Sequence, residues 1–274
     1  MSVTAEELVR YDGRHVVVTG AASGIGSRVA AECARLGARV TGLDRQHPES
    51  GAPITDFVPV DLADAGSVAA AAAAIDGPID VLFNVAGVSS GIGDPLAVVT
   101  VNFLGTRALT EAVLPAMPEG AAIVNVSSLA ARDYRANAAV TTGLLDTAGM
   151  AEGIDWCLAN PAALADGGYR LSKEALILWA MRLTGPLAER GIRINTSAPG
   201  VTDTPILEQL RSAYGQQFLD SFVAPLGRHC RPEEQAAVLL FLGSGAASYL
   251  TGQVIWVDGG ILGQATAAEL TGRS

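Results

Sequence analysis

Positive charge is scarce in this 274-residue sequence. Lys and Arg together number 18 against 28 Asp and Glu, which gives a formal net charge of −10 at pH 7. Nucleic acids and anionic membrane surfaces are bound by surfaces that are rich in Lys and Arg. The charge balance therefore argues against nucleic acid and against membrane as partners.

Cysteine and histidine are also few. The cysteines Cys33, Cys157 and Cys230 are odd in number and far apart, which is typical of reduced thiols rather than of a disulfide framework. The histidines show no paired spacing with them, so we expect no metal site. The N-terminal segment has acids but no apolar run typical of a signal peptide, and no uninterrupted apolar stretch predicts a membrane span. We therefore expect a cytoplasmic protein.

Apolar and small residues are abundant, with 49% hydrophobic residues and 31 glycines. No linker or change of composition divides the chain. This composition supports a large core with close backbone packing. We expect one domain over residues 1–274.

Short β-branched runs alternate with helical stretches along the whole chain. Strands are predicted at 14–20, 39–44, 56–61, 79–87, 121–128, 192–198 and 253–260. Helices are predicted at 23–38, 64–75, about 96–117 and 169–189, with further helical segments between 205 and 243. This alternation implies right-handed crossovers and an α/β, Rossmann-like, doubly wound parallel sheet of seven strands. The ligand crevice is expected at the carboxyl ends of the strands.

The segment TGAASGIG (19–26) joins the first predicted strand to the first helix, with glycines at 20, 24 and 26. Glycine permits a tight turn and a close approach of backbone to a pyrophosphate, which the helix N-terminus attracts. The spacing is not that of the standard dinucleotide fingerprint, and a glycine-rich turn alone is weak evidence. Its place between the first strand and helix nevertheless predicts nucleotide binding.

Asp44 ends the second predicted strand, 18 residues after Gly26. A carboxylate at this place accepts the ribose hydroxyls of an adenosine and repels a 2′-phosphate, which favours NAD over NADP. The neighbouring Arg45 is a guanidinium that can bind a phosphate, so NADP stays open as an alternative. Ser23 offers no basic side chain.

Tyr169 and Lys173 stand four positions apart in a predicted helix and therefore share one face. Alone, such a pair is more often a partly buried tyrosine beside a solvated lysine. A free tyrosine has a pKa near 10, too high for a base at neutral pH. A neighbouring ammonium is expected to lower the pKa of the Tyr169 phenol toward the working range.

Six motifs follow one another in order: TGAASGIG (19–26), NVAG (84–87), VNFLG (101–105), NVSS (125–128), YRLSK (169–173) and APGVTDT (198–204). With them the chain resembles the classical short-chain dehydrogenase/reductase family over about residues 12–262. The resemblance implies a catalytic tetrad in which Tyr169 donates and accepts the proton and Lys173 activates it. Ser128 would bind the substrate oxygen, and Asn102 would be the fourth member.

The resemblance also implies the cofactor-binding residues. They are Gly20, Ser23, Gly24, Ile25 and Gly26 in the turn, Asp44 at the ribose, Asp61 and Leu62 beside the adenine, Asn84, Ala86 and Gly87 along the crevice, Tyr169 and Lys173, and Pro199, Gly200, Val201 and Thr204 at the nicotinamide. One departure is Val85, where the family usually has a second asparagine, so we expect a structural hydrogen bond of the family to be absent there.

Ser128 and Tyr169 are 41 positions apart, a much wider spacing than the family usually has. The excess, residues 130–168, contains helical spacings, and a structureless loop of this length is unusual in a compact domain. We expect one or two helices packed over the substrate crevice and the active site. Because the segment adjoins helices through which classical members dimerise, a role as substrate lid and a role as subunit interface both stay open.

A related insertion marks the subgroup that contains bacterial 3α-hydroxysteroid dehydrogenase/carbonyl reductase and coniferyl-alcohol dehydrogenase. The resemblance to this subgroup implies hydrophobic, ring-bearing alcohols or ketones as substrates. The segment after APGV is expected to form the other wall of the crevice, with an apolar stripe made of Leu207, Leu210, Tyr214, Phe218 and Phe222.

Together these features predict an NAD-dependent oxidoreductase that interconverts such an alcohol and its carbonyl compound, as a homodimer or homotetramer. Two alternatives stay open. One is a dinucleotide-binding regulatory protein on the same fold, because fold alone does not establish activity. The other is a reductase of another class of ketone.

Overall fold

The computed structural model describes residues 4–217 and 222–272. Phe218, one member of the predicted apolar stripe, lies outside the described residues.

Seven strands form one sheet. They are β1 (His15–Thr19), β2 (Arg39–Asp44), β3 (Asp56–Pro59), β4 (Val81–Asn84), β5 (Ala122–Val126), β6 (Arg193–Pro199) and β7 (Val254–Val257). The spatial order is β3-β2-β1-β4-β5-β6-β7, and all neighbours are parallel. The predicted α/β fold with a seven-stranded parallel sheet is therefore confirmed. The order reverses between β1 and β4, which is where doubly wound sheets bind ligands.

The helices cover both faces of this sheet. They are α1 (Ala5–Leu8), α2 (Gly24–Arg35), α3 (Ala65–Ala74), α4 (Pro95–Val99), α5 (Thr106–Val113), α6 (Ala138–Leu145), α7 (Met150–Ala159), α8 (Tyr169–Ala188), α9 (Pro205–Tyr214), α10 (Pro232–Gly243) and α11 (Ile261–Thr271). The predicted helix at 96–117 is interrupted, because a π-helix, Thr100–Gly105, separates α4 from α5. Short π segments of this kind are frequent at functional sites.

Alternating side chains of each strand face two different cores. Val17 of β1 belongs to a buried cluster with Leu109 of α5, on the face that α3, α5 and α8 cover. Its neighbours Val16 and Val18 belong to the opposite cluster with Val29 of α2, on the face that α2 and α10 cover. The two-residue period of a strand produces this division, and burial on both faces explains why the strands read as continuous apolar runs.

The segment 130–168 contains helices, as the spacing predicts. These are α6 and α7, followed by a short 3₁₀ helix, Pro161–Leu164. Leu144 of α6 and Cys157 of α7 are fully buried in a cluster with Phe103 of the π-helix and with Leu171 and Trp179 of α8.

The expected position of these helices over the crevice is wrong. Their apolar residues pack instead against α8 and the π-helix, and this packing removes the apolar surface of α6 and α7 from water. Within 130–168, the residues that line the crevice are Ala130 and Arg132. The helices α6 and α7 therefore support α8 by packing against residues of α8 that do not line the crevice.

One described helical stretch, Pro95–Ala116, is long and apolar enough to cross a membrane by length and composition. This differs from the sequence expectation that no stretch qualifies. However, 67% of its apolar window is buried inside the structure, as in a helix that packs in a protein core.

Candidate active site

A cavity of about 640 Å³ lies at the carboxyl ends of the strands, where the strand order reverses. Its lining comes from the segments that follow β1, β2, β3, β4, β5 and β6, together with α8 and α9. The volume falls within the range of pockets that bind small molecules and cofactors. This is the place where the sheet topology predicts a ligand.

The glycine turn forms one end of this cavity. Gly20 has φ of 72°, and a Cβ there would lie 2.9 Å from the Cα of Ala86. A Cβ on Gly26 would lie 2.1 Å from the carbonyl oxygen of Gly20. Glycine at position 20 therefore lets the turn approach the segment after β4, and glycine at position 26 lets α2 begin close to the end of β1. Ser23, the N-cap residue of α2, makes no side-chain capping bond, so its side chain leaves the first-turn N–H groups free to receive an anion.

Asp44 is fixed at the edge of the same cavity. Its Oδ2 accepts a hydrogen bond from the N–H of Ala22 at 3.0 Å, and its Oδ1 accepts one from the N–H of Gln46 at 3.0 Å. Each carboxylate oxygen has a further lone pair for a ligand hydroxyl. Arg45 also lines the cavity, so a carboxylate and a guanidinium both lie at this end.

Gly87 provides the best test of whether a dinucleotide fits. A Cβ at this position would lie 3.1 Å from Oδ1 of Asn102 and 3.3 Å from Nζ of Lys173. The missing side chain leaves a hollow beside the lysine amine, in the same cavity as the glycine turn and the Asp44 carboxylate. An anion site, a hydroxyl acceptor and a hollow with a lysine donor along one cavity fit an extended dinucleotide.

Nearly all of the predicted cofactor-binding residues line this cavity. They are Gly20, Ser23, Gly24, Ile25, Gly26, Asp44, Asp61, Leu62, Ala86, Gly87, Tyr169, Lys173, Pro199, Gly200, Val201 and Thr204.

Asn84 is the exception and requires a correction. Its buried Nδ2 donates to Oγ1 of Thr110 and to Oδ1 of Asn125, both at 2.9 Å. The side chain therefore links β4 to α5 and β5 instead of lining the crevice. Val85, the departure from the family pattern, lines the cavity, and its N–H donates to Oγ1 of Thr19 at 2.9 Å.

Three of the four predicted catalytic residues meet at the cavity. Ser128 follows β5, Tyr169 begins α8, and Lys173 lies one turn further along α8. Ser128 hydrogen-bonds with the Tyr169 hydroxyl. Nζ of Lys173 donates to the carbonyl oxygen of Val126 at 3.0 Å and lies 5.6 Å from the centre of the Tyr169 ring. Ser127 has a structural role, because its Oγ donates to the Lys173 carbonyl at 2.7 Å.

Asn102 lies one layer behind these three residues. It is fully buried in the π-helix, where its Oδ1 accepts from the N–H of Val88 at 2.8 Å. Its Nδ2 donates to the carbonyl of Val88 at 3.0 Å and to Oγ of Ser172 at 3.2 Å. Its side chain therefore joins the loop after β4 to α8, and it does not line the cavity.

Burial governs the protonation of the catalytic pair. Burial raises the pKa of the Tyr169 phenol above its ordinary value, and the hydrogen bond with Ser128 opposes this rise only in part. Burial also lowers the pKa of the Lys173 ammonium to about 8. Both changes follow because a low-polarity surrounding disfavours the charged form. The expectation that Lys173 lowers the pKa of the Tyr169 phenol is therefore wrong, because burial raises this pKa.

Sequence reasoning missed several residues at the other end of the cavity, among them Ser90, Leu129, Arg132 and Gln209. The only signal for Arg132 is its place four residues after Ser128. Ser90 begins a short 3₁₀ helix, Ser90–Ile92, which α9 contacts from across the crevice.

Two hydrogen bonds join the 3₁₀ helix region to α9. Oγ of Ser89 donates to Oε1 of Gln209 at 3.1 Å, and the Tyr214 hydroxyl donates to Oγ of Ser90 at 3.1 Å. Of the predicted apolar stripe, Leu207, Leu210 and Phe222 line the cavity. The segment therefore forms the second wall, as expected.

Comparisons with known proteins agree with this geometry. The short chain dehydrogenase family matches residues 14–141, and the enoyl-(acyl carrier protein) reductase family matches residues 157–262. The chain is 35% identical over 254 residues to coniferyl-alcohol dehydrogenase of a Pseudomonas species, and this alignment covers 92% of this chain and 98% of that protein. It is 31% identical over 255 residues to 3-alpha-hydroxysteroid dehydrogenase/carbonyl reductase of Comamonas testosteroni. This alignment covers 90% of this chain and 95% of that protein.

A solved structure is also similar. The crystal structure of 3-alpha-hydroxysteroid dehydrogenase from Pseudomonas sp. B-0831, complexed with NADH, superposes with a TM-score of 0.78 and 32% sequence identity. The superposition covers 95% of this chain and 99% of that chain.

Proposed function

Because this chain belongs to the short-chain dehydrogenase/reductase family and is an oxidoreductase of the alcohol and carbonyl type, we propose that it interconverts a hydrophobic, ring-bearing alcohol and its carbonyl compound with NAD. The observation that carries the proposal is the meeting of Ser128, Tyr169 and Lys173 in the cavity that the glycine turn closes at its other end. A pure binding protein has no need of this arrangement.

The cofactor would be held along the cavity. The N-terminus of α2 would receive the pyrophosphate, Asp44 the adenosine ribose, and Thr204 and Lys173 the nicotinamide half. When bound, NAD supplies hydride acceptance, and NADH supplies hydride donation. We propose NAD rather than NADP because the fixed carboxylate of Asp44 repels a 2′-phosphate, an effect that the neighbouring Arg45 opposes.

The side chains of this site handle the proton. During carbonyl reduction, the Tyr169 hydroxyl donates its proton to the carbonyl oxygen, while the Ser128 hydroxyl donates a hydrogen bond to the same oxygen. The Lys173 ammonium then stabilises the phenolate that forms. Alcohol oxidation follows the same path in reverse. Asn102 acts by holding the loop after β4 against α8.

The substrate class is inferred from the walls of the cavity. Leu129, Ile206, Leu207, Leu210 and Phe222 give the substrate end an apolar lining, which suits a ring system. The named activities of two relatives, on coniferyl alcohol and on 3-alpha-hydroxysteroids, are of this type. We propose a substrate of one of these two types.

We further propose that residues 1–274 act as one domain, in a homodimer or homotetramer located in the cytoplasm. Nucleic acid and membrane are not partners in this proposal, since the formal net charge is −10 at pH 7.

A substrate screen tests the proposed function. The purified chain is assayed with NAD and with NADP against 3α-hydroxysteroids, cinnamyl-type alcohols and aliphatic alcohols. We expect kcat/KM to be at least tenfold higher for ring-bearing alcohols and for NAD, a difference of about 1.4 kcal/mol. Tight NAD binding without turnover of any alcohol would instead indicate a dinucleotide-binding regulatory protein.

A further inference from the structure

The two ends of the cavity differ in charge. Among the lining residues, Asp44, Arg45 and Asp61 lie at the end formed by β2 and β3, which we assign to the adenosine. Around the catalytic residues and beyond them, the described lining contains no carboxylate. Apart from Lys173, the cationic side chain that lines this end is Arg132.

The backbone fixes Arg132 relative to the reacting group. A 3₁₀ turn, Leu129–Ala131, begins directly after Ser128, whose Oγ accepts from the N–H of Ala130 at 3.2 Å. The N–H of Arg132 continues this turn by donating to the carbonyl of Leu129 at 3.1 Å. Arg132 therefore lies at the end of this turn away from Ser128, and its side chain lines the same cavity.

The guanidinium of Arg132 is only weakly paired. Its Nε lies 3.5 Å from Oδ2 of Asp133, which is too long for a good hydrogen bond, and both side chains are at least half exposed. Exposed ion pairs of this kind contribute little. By contrast, Nε of Arg170 lies 2.6 Å from Asp166. The planar fork of Arg132 is therefore available for a bidentate bond to a carboxylate.

We propose that Arg132 binds a carboxylate of the substrate. The substrate is then a ring-bearing hydroxy acid or oxo acid whose carboxylate lies at the far end from the reacting carbon. The protein as a whole is strongly acidic, so a local cation is what such a substrate needs in order to enter the crevice. This inference rests on the proposed function and deepens it.

Matched substrate pairs test the inference. The pairs are 4-(1-hydroxyethyl)benzoate with its methyl ester, and a 3α-hydroxysteroid acid with its methyl ester, each assayed with NAD. The wild-type chain is expected to prefer the acid at least tenfold in kcat/KM, mainly through a lower KM. Arg132→Gln is expected to bring this ratio to about one, and Arg132→Lys to restore part of it.

Arg135→Gln is the control, because Arg135 is exposed three residues further on, lies over the Tyr134 ring and does not line the cavity. It should keep the wild-type ratio. A wild-type ratio that favours the ester, or that persists in Arg132→Gln, overturns the inference but leaves the proposed function standing. Absence of turnover for both members of every pair, when the chain does turn over a neutral ring-bearing alcohol of the substrate screen, overturns this inference alone. Absence of turnover throughout that screen overturns the proposed function and this inference with it.

Discussion

Lys173 is the single lysine of the chain, and it is almost completely buried beside Val126 and Tyr169. Its protonation can therefore be observed directly, since selective ¹⁵N-lysine labelling gives one side-chain signal. We expect this signal to titrate with a pKa of about 8, because burial disfavours the ammonium. A titration near the ordinary value of 10.5 would contradict the environment described for this side chain.

The same burial predicts that Lys173→Met is inactive but more stable. A pKa lowered from 10.5 to about 8 corresponds to a cost of about 3 kcal/mol for the buried charge. The Val126 carbonyl loses its hydrogen-bond donor in the variant, which lowers the free energy of unfolding by about 1 kcal/mol. We expect a free energy of unfolding about 2 kcal/mol higher than that of the wild type at pH 7.

The stability difference between Lys173→Met and the wild type depends on pH. Between about pH 8 and 10.5, the folded wild type has lost the Lys173 proton while the unfolded chain still binds it, so wild-type stability rises with pH. The free energy of unfolding of Lys173→Met therefore exceeds that of the wild type by the full amount below pH 8, and this difference decreases between about pH 8 and 10.5. Urea unfolding of both proteins at pH 7 and pH 10 measures it, and an equal advantage at both values would contradict the account.

At the residue scale, the sequence allows the catalytic set to be predicted but not its protonation. The spacing of Tyr169 and Lys173 predicts a shared helix face, and the structure shows it. The directions of both pKa shifts depend on burial. For Lys173 this burial comes from segments that are distant in sequence, such as Val126 and the loop at Gly87. No local pattern contains that information.

At the scale of elements, the segment 130–168 shows what periodicity leaves out. Helical spacing predicts that α6 and α7 exist and that each has an apolar face. It does not say which surface receives that face. Trp179 and Phe103 provide the partner surface on α8 and the π-helix, and they lie outside the segment itself.

A buried carboxylate joins this segment to the catalytic helix. Glu174 of α8 is completely buried and accepts hydrogen bonds from Nδ2 of Asn137 at 2.6 Å, Nη1 of Arg170 at 3.0 Å and Oγ1 of Thr141 at 3.3 Å. Asn137 and Thr141 belong to the segment, so one side chain fixes α6 onto α8.

Glu174→Ala is therefore expected to lower the free energy of unfolding by about 3 kcal/mol, because it leaves donors buried without their acceptor. Glu174→Gln should lower the free energy of unfolding less, since its side chain keeps one carbonyl oxygen as a hydrogen-bond acceptor. Glu208→Ala is the matched control, as Glu208 pairs with Arg211 in the exposed part of α9 and should contribute less than 1 kcal/mol. Urea unfolding compares the three variants, and equal losses in Glu174→Ala and Glu208→Ala would refute the described role.

At the scale of the whole molecule, the alternation of strands and helices predicts the sheet and the place of its crevice. The π-helix that carries Asn102 could not be predicted, because its extra residue per turn leaves no distinct apolar pattern. The position of Asn84 could not be predicted either, since its partners Thr110 and Asn125 lie on other elements. Both follow from packing between distant parts of the chain.

Cofactor preference appears as a change in the stability of the whole molecule. NAD at 100 times its Kd should raise the free energy of unfolding by about 2.7 kcal/mol, and NADP at the same concentration should raise it much less. Asp44→Ser should reduce this difference because it removes the charge that repels a 2′-phosphate. Thermal unfolding with each dinucleotide measures the effect, and a larger shift with NADP in the wild type would refute the NAD proposal.

In the proposed reaction, Tyr169 transfers the proton during NAD-dependent turnover of a ring-bearing alcohol. The most direct measurement is the rate of NADH formation by wild type and Tyr169→Phe at saturating NAD, with NAD affinity determined for both. We expect the variant to keep its affinity for NAD and to lose about 10²-fold or more in kcat, within the range of about 10²–10⁴ for acid–base catalysis. A kcat close to that of the wild type would contradict it.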